Sequence, residues 1–131
     1  MNDYSFENLE VYKLAKELRN KTYKLIKELP EEEKYNLASQ MRRAALSLTN
    51  NIAEGHGRYH YQENIQFLRQ CRGSLEELID DFDLCISEKY ADEVTLNNFK
   101  NEAYELLKRL NGYIKYLKVK KEEAPINQLT N

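Results

Sequence analysis

Tryptophan is absent from the sequence, and its 131 residues include only two prolines and four glycines. With so few breakers, long stretches are free to be helical, and the many Leu, Lys and Glu residues favour that state. No strand-type alternation, internal repeat or low-complexity run competes with it. Only two cysteines are present, Cys71 and Cys85. Within one helix they lie roughly 20 Å apart, which excludes a bridge between them. They read as small hydrophobes in a reducing compartment. A charge excess is also missing, with 20 basic against 22 acidic residues and a net charge of -2. A dedicated basic nucleic-acid protein would carry a positive excess, although a local basic patch stays open. No apolar run approaches the ~20 residues that cross a bilayer. Met1-Asn2-Asp3-Tyr4 is polar and acidic rather than leader-like, so the expected location is cytoplasmic, with no membrane partner.

Tyrosine is plentiful, with ten copies against four phenylalanines. The length fits one domain with a respectable core. Four amphipathic segments follow one another. The first covers about residues 6–29, with Val11, Leu14, Leu18, Leu25, Ile26 and Leu29 as its stripe. Pro30 ends it, because the residue before a proline is pushed out of the helical region. Glu31, Glu32 and Glu33 then suit a helix start, and the second segment runs to about Glu54. Gly55 and Gly57 stop it, glycine being able to adopt the left-handed cap conformation. The third covers about 61–88 and the fourth about 95–118, with Thr95 as its cap. Gly73, inside the third, costs about 1 kcal/mol relative to alanine. It implies close approach by a neighbouring backbone or a large side chain, so Gly73→Leu is expected to disrupt folding or assembly. Residues 119–131 read as a frayed tail beyond a domain of residues 1–118. Short loops between long helices imply an all-α, up-and-down four-helix bundle.

The second segment is the most informative. Leu37, Met41, Ala44, Ala45, Leu48 and Ile52 recur at helical spacing. Arg43, Ser47, Asn51 and Glu54 follow steps of four, four and three along one flank of that helix. On the third helix Arg72 and Glu76 are four apart. These residues, with Arg58 and Gly73, suit a network in which arginine forks bind carboxylates and amides and fix helix register or subunit contacts. A ligand or phosphate site and plain surface solvation are the other two readings of the same set. Arg42, Arg58 and Arg69, with the rings of Tyr59 and Tyr61, are the residue types on which single-stranded nucleic acid stacks, and also ordinary surface residues.

Catalytic and metal readings find little. His56 and His60 have Gly57 between them and no cysteine nearby, which is poor zinc spacing. Asp80, Asp81 and Asp83 do not share one face and read as a solvated acidic surface. Ser47 and Ser74 have no evident base and read as small packing residues. The residues call for no cofactor and no catalytic machinery.

Four motifs carry a resemblance to a known bacterial family. They are Phe6-Glu7-Asn8-Leu9-Glu10-Val11-Tyr12-Lys13-Leu14-Ala15, Gln40-Met41-Arg42-Arg43-Ala44-Ala45-Leu46-Ser47, Asn51-Ile52-Ala53-Glu54-Gly55 followed by Gly57-Arg58, and Phe67-Leu68 followed by Arg72-Gly73-Ser74-Leu75-Glu76-Glu77-Leu78. In order and spacing the chain resembles the four helix bundle proteins that include the 23S rRNA-intervening sequence proteins and the accessory variability determinants of diversity-generating retroelements. The resemblance implies a bundle that assembles as a ring-like homo-pentamer and carries no catalytic activity. Some members bind a reverse transcriptase and nucleic acid through a positive surface, from which this chain departs in net charge. The expectation is a non-enzymatic scaffold that docks a macromolecular partner, with nucleic-acid binding as the alternative and a small-molecule binder or enzyme as a distant third.

Overall fold

A computed structural model describes residues 5–124. Within them are the helices α1 (Glu10–Ile26), α2 (Leu37–His56), α3 (Tyr61–Ser87) and α4 (Glu93–Glu123), with no strand among the described residues. Each helix buries one stripe. Leu18, Met41, Leu48, Ile52, Leu68, Leu75, Phe82, Leu106 and Leu110 are all essentially inaccessible and form one continuous core. Around the bundle α2 packs on α1 and α3, and α3 packs on α4. The ring closes between α1 and α4, where Lys21 pairs with Glu102, and Arg109 lies 2.9 Å from Glu10. No described helix is long and apolar enough to cross a membrane.

Several expected boundaries move, each for a local reason. α1 begins at Glu10, because Phe6–Asn8 form a separate 3-10 turn. There Ser5 Oγ accepts the Glu7 amide at 3.1 Å, and Phe6 packs edge-on against Tyr12. The glutamate run does not open α2. Glu31–Glu33 make a second 3-10 turn, and α2 starts at Leu37. Glu33 holds that junction, with Oε1 near the Leu37 amide and Oε2 accepting the Tyr90 hydroxyl at 2.7 Å. Asp92, not Thr95, caps α4, its carboxylate accepting the Thr95 amide at 3.0 Å. α4 continues past Lys118 to Glu123, so residues 119–123 are helical rather than frayed. Residues 125–131 of the expected tail lie outside the described residues.

Two glycine expectations are corrected. Gly55 does not stop α2 but lies buried in its last turn, and Gly57 ends the helix with φ -76°, on the right-handed side. Gly73 is exposed, and a Cβ added there would meet no atom within 4 Å, so no close approach within the bundle requires it. The close approach belongs to Gly55. An added Cβ there would stand 2.7 Å from Asn64 Oδ1 and 2.9 Å from the Phe67 Cβ.

Antiparallel α3 and α4 keep one register throughout. Gln62 meets Lys121 at 2.6 Å, Arg72 meets Asn111 at 2.9 Å, and Asp83 meets Lys100 at 3.1 Å. Each step along α3 is matched by an equal step back along α4.

Candidate functional site

The flank of α2 that carries Arg43, Ser47, Asn51 and Glu54 faces outward beside α3, and the structure divides it into two groups. In the first, Asn51 Nδ2 donates to the Ser47 carbonyl at 2.9 Å and to Ser47 Oγ at 2.7 Å. Ser74 Oγ donates to the same Ser47 Oγ at 2.8 Å, tying α3 to α2. Small side chains let the helices approach, and their hydroxyls set the axial position at which they meet. Above this relay lies an open furrow of about 460 Å³, bordered by Gln40, Arg43, Ser47, Ser74, Glu77 and Asp81. Arg43 is exposed at its rim, and it forms no ion pair among the described residues.

In the second group Arg58 reaches Glu54 at 2.6 Å and Glu63 at 3.7 Å, with its guanidinium over the Phe67 ring at 5.0 Å. These groups are partly exposed, and such pairs contribute roughly 0–1 kcal/mol. They shape the α2–α3 corner more than they stabilise it. Arg72 is directed to Asn111 on α4, and no ion pair with Glu76 forms among the described residues. Glu76 and Gly73 face solvent.

The residues considered for nucleic acid do not form one cluster. Arg58, Tyr59 and Tyr61 gather at the α2–α3 corner, around a furrow of about 290 Å³ shared with His56, His60 and Tyr113. Arg42 sits near the opposite end of α2, about 20 Å away along the helix. Arg69 is exposed on α3, beyond the corner.

Burial shifts three titrating groups of α3. Asp81 is half-buried at the furrow, and desolvation, helped by the neighbouring charges of Asp80 and Glu77, raises its carboxyl from 3.8 to about 6. Asp81 therefore departs from the solvated acidic surface expected for its segment. Burial also pushes the Cys71 thiol up to about 12 and Cys85 to about 11, which suppresses the reactive thiolate. Among the described residues no group of three or more His, Cys, Asp and Glu side chains is placed to hold a metal ion.

Sequence patterns alone missed three features. One is the contact of Gly55 with Asn64, hidden because a glycine near a helix end reads as a stop. Another is Arg19, whose guanidinium donates to Thr49 Oγ1 at 3.1 Å between α1 and α2. The third is the run Lys108, Lys115, Lys118 on the outer side of α4, exposed and at helical spacing. Its spacing was visible, but a lysine stripe on one helix gains meaning only beside its neighbour.

Four antiparallel helices around one core, with polar side chains tying their outer seams, define an up-and-down four-helix bundle. A family model, 23S rRNA-intervening sequence protein, matches residues 7–112, and the chain belongs to that family. No curated protein matches the chain.

Proposed function

We propose that the protein is a non-enzymatic scaffold that assembles with copies of itself, as the homo-pentamer that its resemblance implies, and docks a macromolecular partner in the cytoplasm. The observation that carries this is where the polar residues sit. Arg43, Ser47, Asn51, Glu54 and Arg58 lie on the outside of a filled bundle, along open furrows, instead of converging on an enclosed cavity. Polar groups on rigid helices suit recognition of a surface, and the Ser47–Asn51–Ser74 relay holds Ser47 and Asn51 in place at low conformational cost. Leu46, which is 44 % exposed on the same helix, adds an apolar contact.

The partner is a protein, such as a reverse transcriptase, or a nucleic acid. Arg58 beside the rings of Tyr59 and Tyr61 favours the second, and its pairing with Glu54 and Glu63 opposes it. Light scattering at micromolar concentration tests the assembly, and a monomeric mass overturns it. A gel shift with RNA and DNA over a salt series tests the partner class. Retardation that falls steeply with salt marks nucleic acid, and no retardation at low salt leaves protein.

A further inference from the structure

The outer surface shared by α3 and α4 is divided by charge. On α3 one exposed stripe, stepping by four and three, runs Arg69, Gly73, Glu76, Asp80, Asp83. On α4 the facing stripe with the same steps runs Tyr104, Lys108, Asn111, Lys115, Lys118. The register set by Arg72–Asn111 and Asp83–Lys100 places Arg69 level with Lys115 and Asp80 level with Tyr104. The half towards the α2–α3 corner is therefore basic, and the other half is net acidic, with Asp83 already paired to Lys100. Among the described residues, Arg69, Lys108, Lys115, Lys118, Glu76 and Asp80 have no ion-pair partner in the bundle. The acidic half also holds a furrow of about 410 Å³ bordered by Glu76, Asp80, the Asp83–Lys100 pair and the half-exposed ring of Tyr104.

We propose that this face binds the same face of a second copy about a two-fold axis, antiparallel, so that the basic half of each bundle lies on the acidic half of the other. A surface carrying both signs in two separate blocks is complementary to itself only when turned through half a revolution, which is the geometry of an isologous contact. Arg69 and Lys115 of one copy then meet Asp80 of the other. Lys108 and Glu76 of both copies gather close to the axis. Gly73 falls near the centre. It is a mid-helix glycine on the surface that nothing in its own bundle requires, and without a side chain it lets the two α3 helices come close. This pairing deepens the self-assembly proposed above, and as a contact distinct from that of the ring it is expected to double the mass that the ring alone has.

The test uses two charge variants of the full chain, an acidic variant with charges reversed in the basic half (Arg69→Glu with Lys115→Glu) and a basic variant with charges reversed in the acidic half (Glu76→Lys with Asp80→Lys). All four positions are exposed, and unchanged circular dichroism confirms that each variant folds. At low salt the wild type is expected to show twice the mass of either variant by sedimentation or light scattering, falling to half as salt is added. An equimolar mixture of the variants regains the doubled mass, because each face now finds its opposite. Gly73→Leu, neutral in charge, also halves the mass. A wild-type oligomer whose mass is the same in both variants overturns the pairing and leaves ring assembly standing. So does the loss of an RNA gel shift in the acidic variant with no change in mass, which assigns the basic half to a polyanion. Variants that separate but do not recombine overturn the two-fold geometry. A wild type that is monomeric at every salt concentration overturns the pairing and the ring together.

Discussion

Gly55 and Asn64 meet so closely that a methyl group on Gly55 would stand 2.7 Å from the Asn64 side-chain oxygen and 3.2 Å from its carbonyl. This contact sets how tightly the chain turns from α2 into α3. Asn64 is 8 % exposed, and its Oδ1 has no hydrogen-bond partner among the described residues. Backbone and Phe67 Cβ leave little room to yield, so Gly55→Ala is expected to destabilise the bundle by about 1–3 kcal/mol, as overpacking does. Denaturant unfolding measures it. An unchanged midpoint would show that the corner relaxes freely.

Gly73 should respond in the opposite way. Its Cβ position is open, and helical alanine gains about 1 kcal/mol over glycine. Gly73→Ala is expected to raise the melting temperature, and the same measurement on Gly73→Leu should show no loss of fold. A lower melting temperature for both at high salt, where copies no longer pair, would mean that packing inside the bundle does require this glycine.

The Ser47–Ser74 bond at 2.8 Å ties α2 to α3. Ser74→Ala leaves Ser47 with the Asn51 amide, whereas Ser47→Ala strips both Ser74 and Asn51 of the Oγ acceptor. Ser47→Ala is thus expected to cost more, about 1 kcal/mol against about half that for Ser74→Ala. Unfolding of the two single variants and the double variant gives the coupling, and fully additive losses would contradict a shared relay.

Asp81 gives the bundle an inverted acid dependence at one site. Its carboxyl titrates at about 6 when folded and near 3.8 when unfolded, so the folded state holds the proton more firmly. This group's contribution is present below 3.8 and is lost as pH rises through 6. Asp81→Asn should raise stability at pH 7 by about 1 kcal/mol after solvent screening, with little gain at pH 4. Equal gains at both pH values would place the cause in packing rather than in the charge.

Lys89 carries a φ of 57°, a left-handed conformation at the end of α3 that costs a non-glycine residue about 1–2 kcal/mol. Lys89→Gly is expected to stabilise the protein by about 0.5–1 kcal/mol in thermal unfolding. A loss instead would show that the lysine side chain contributes something that the strain conceals.

The helices were legible in the sequence because apolar residues at helical spacing have few competing meanings. Leu37, Met41, Leu48 and Ile52 all face the core as their spacing implied. Helix ends were less legible. Pro30, Glu31 and Thr95 each suggested a terminus, but Glu33 and Asp92 hold the actual starts by contacts that depend on where the chain turns. The polar flank of α2 was visible as a flank. Which of its residues would meet was not, since Ser47 needs Ser74 and Arg72 needs Asn111 from other helices. The close approach expected at Gly73 belongs to Gly55 for the same reason. A one-dimensional pattern shows that a side chain is missing, but not which neighbour occupies the space.

Cys71 and Cys85 lie on α3 two heptads apart, both sealed from solvent and both reluctant to ionise. An alkylating reagent can reach them only when α3 lifts away from its neighbours. The native chain thus carries a built-in chemical stopwatch, and the pace at which it takes up label reads how often the closed bundle breathes.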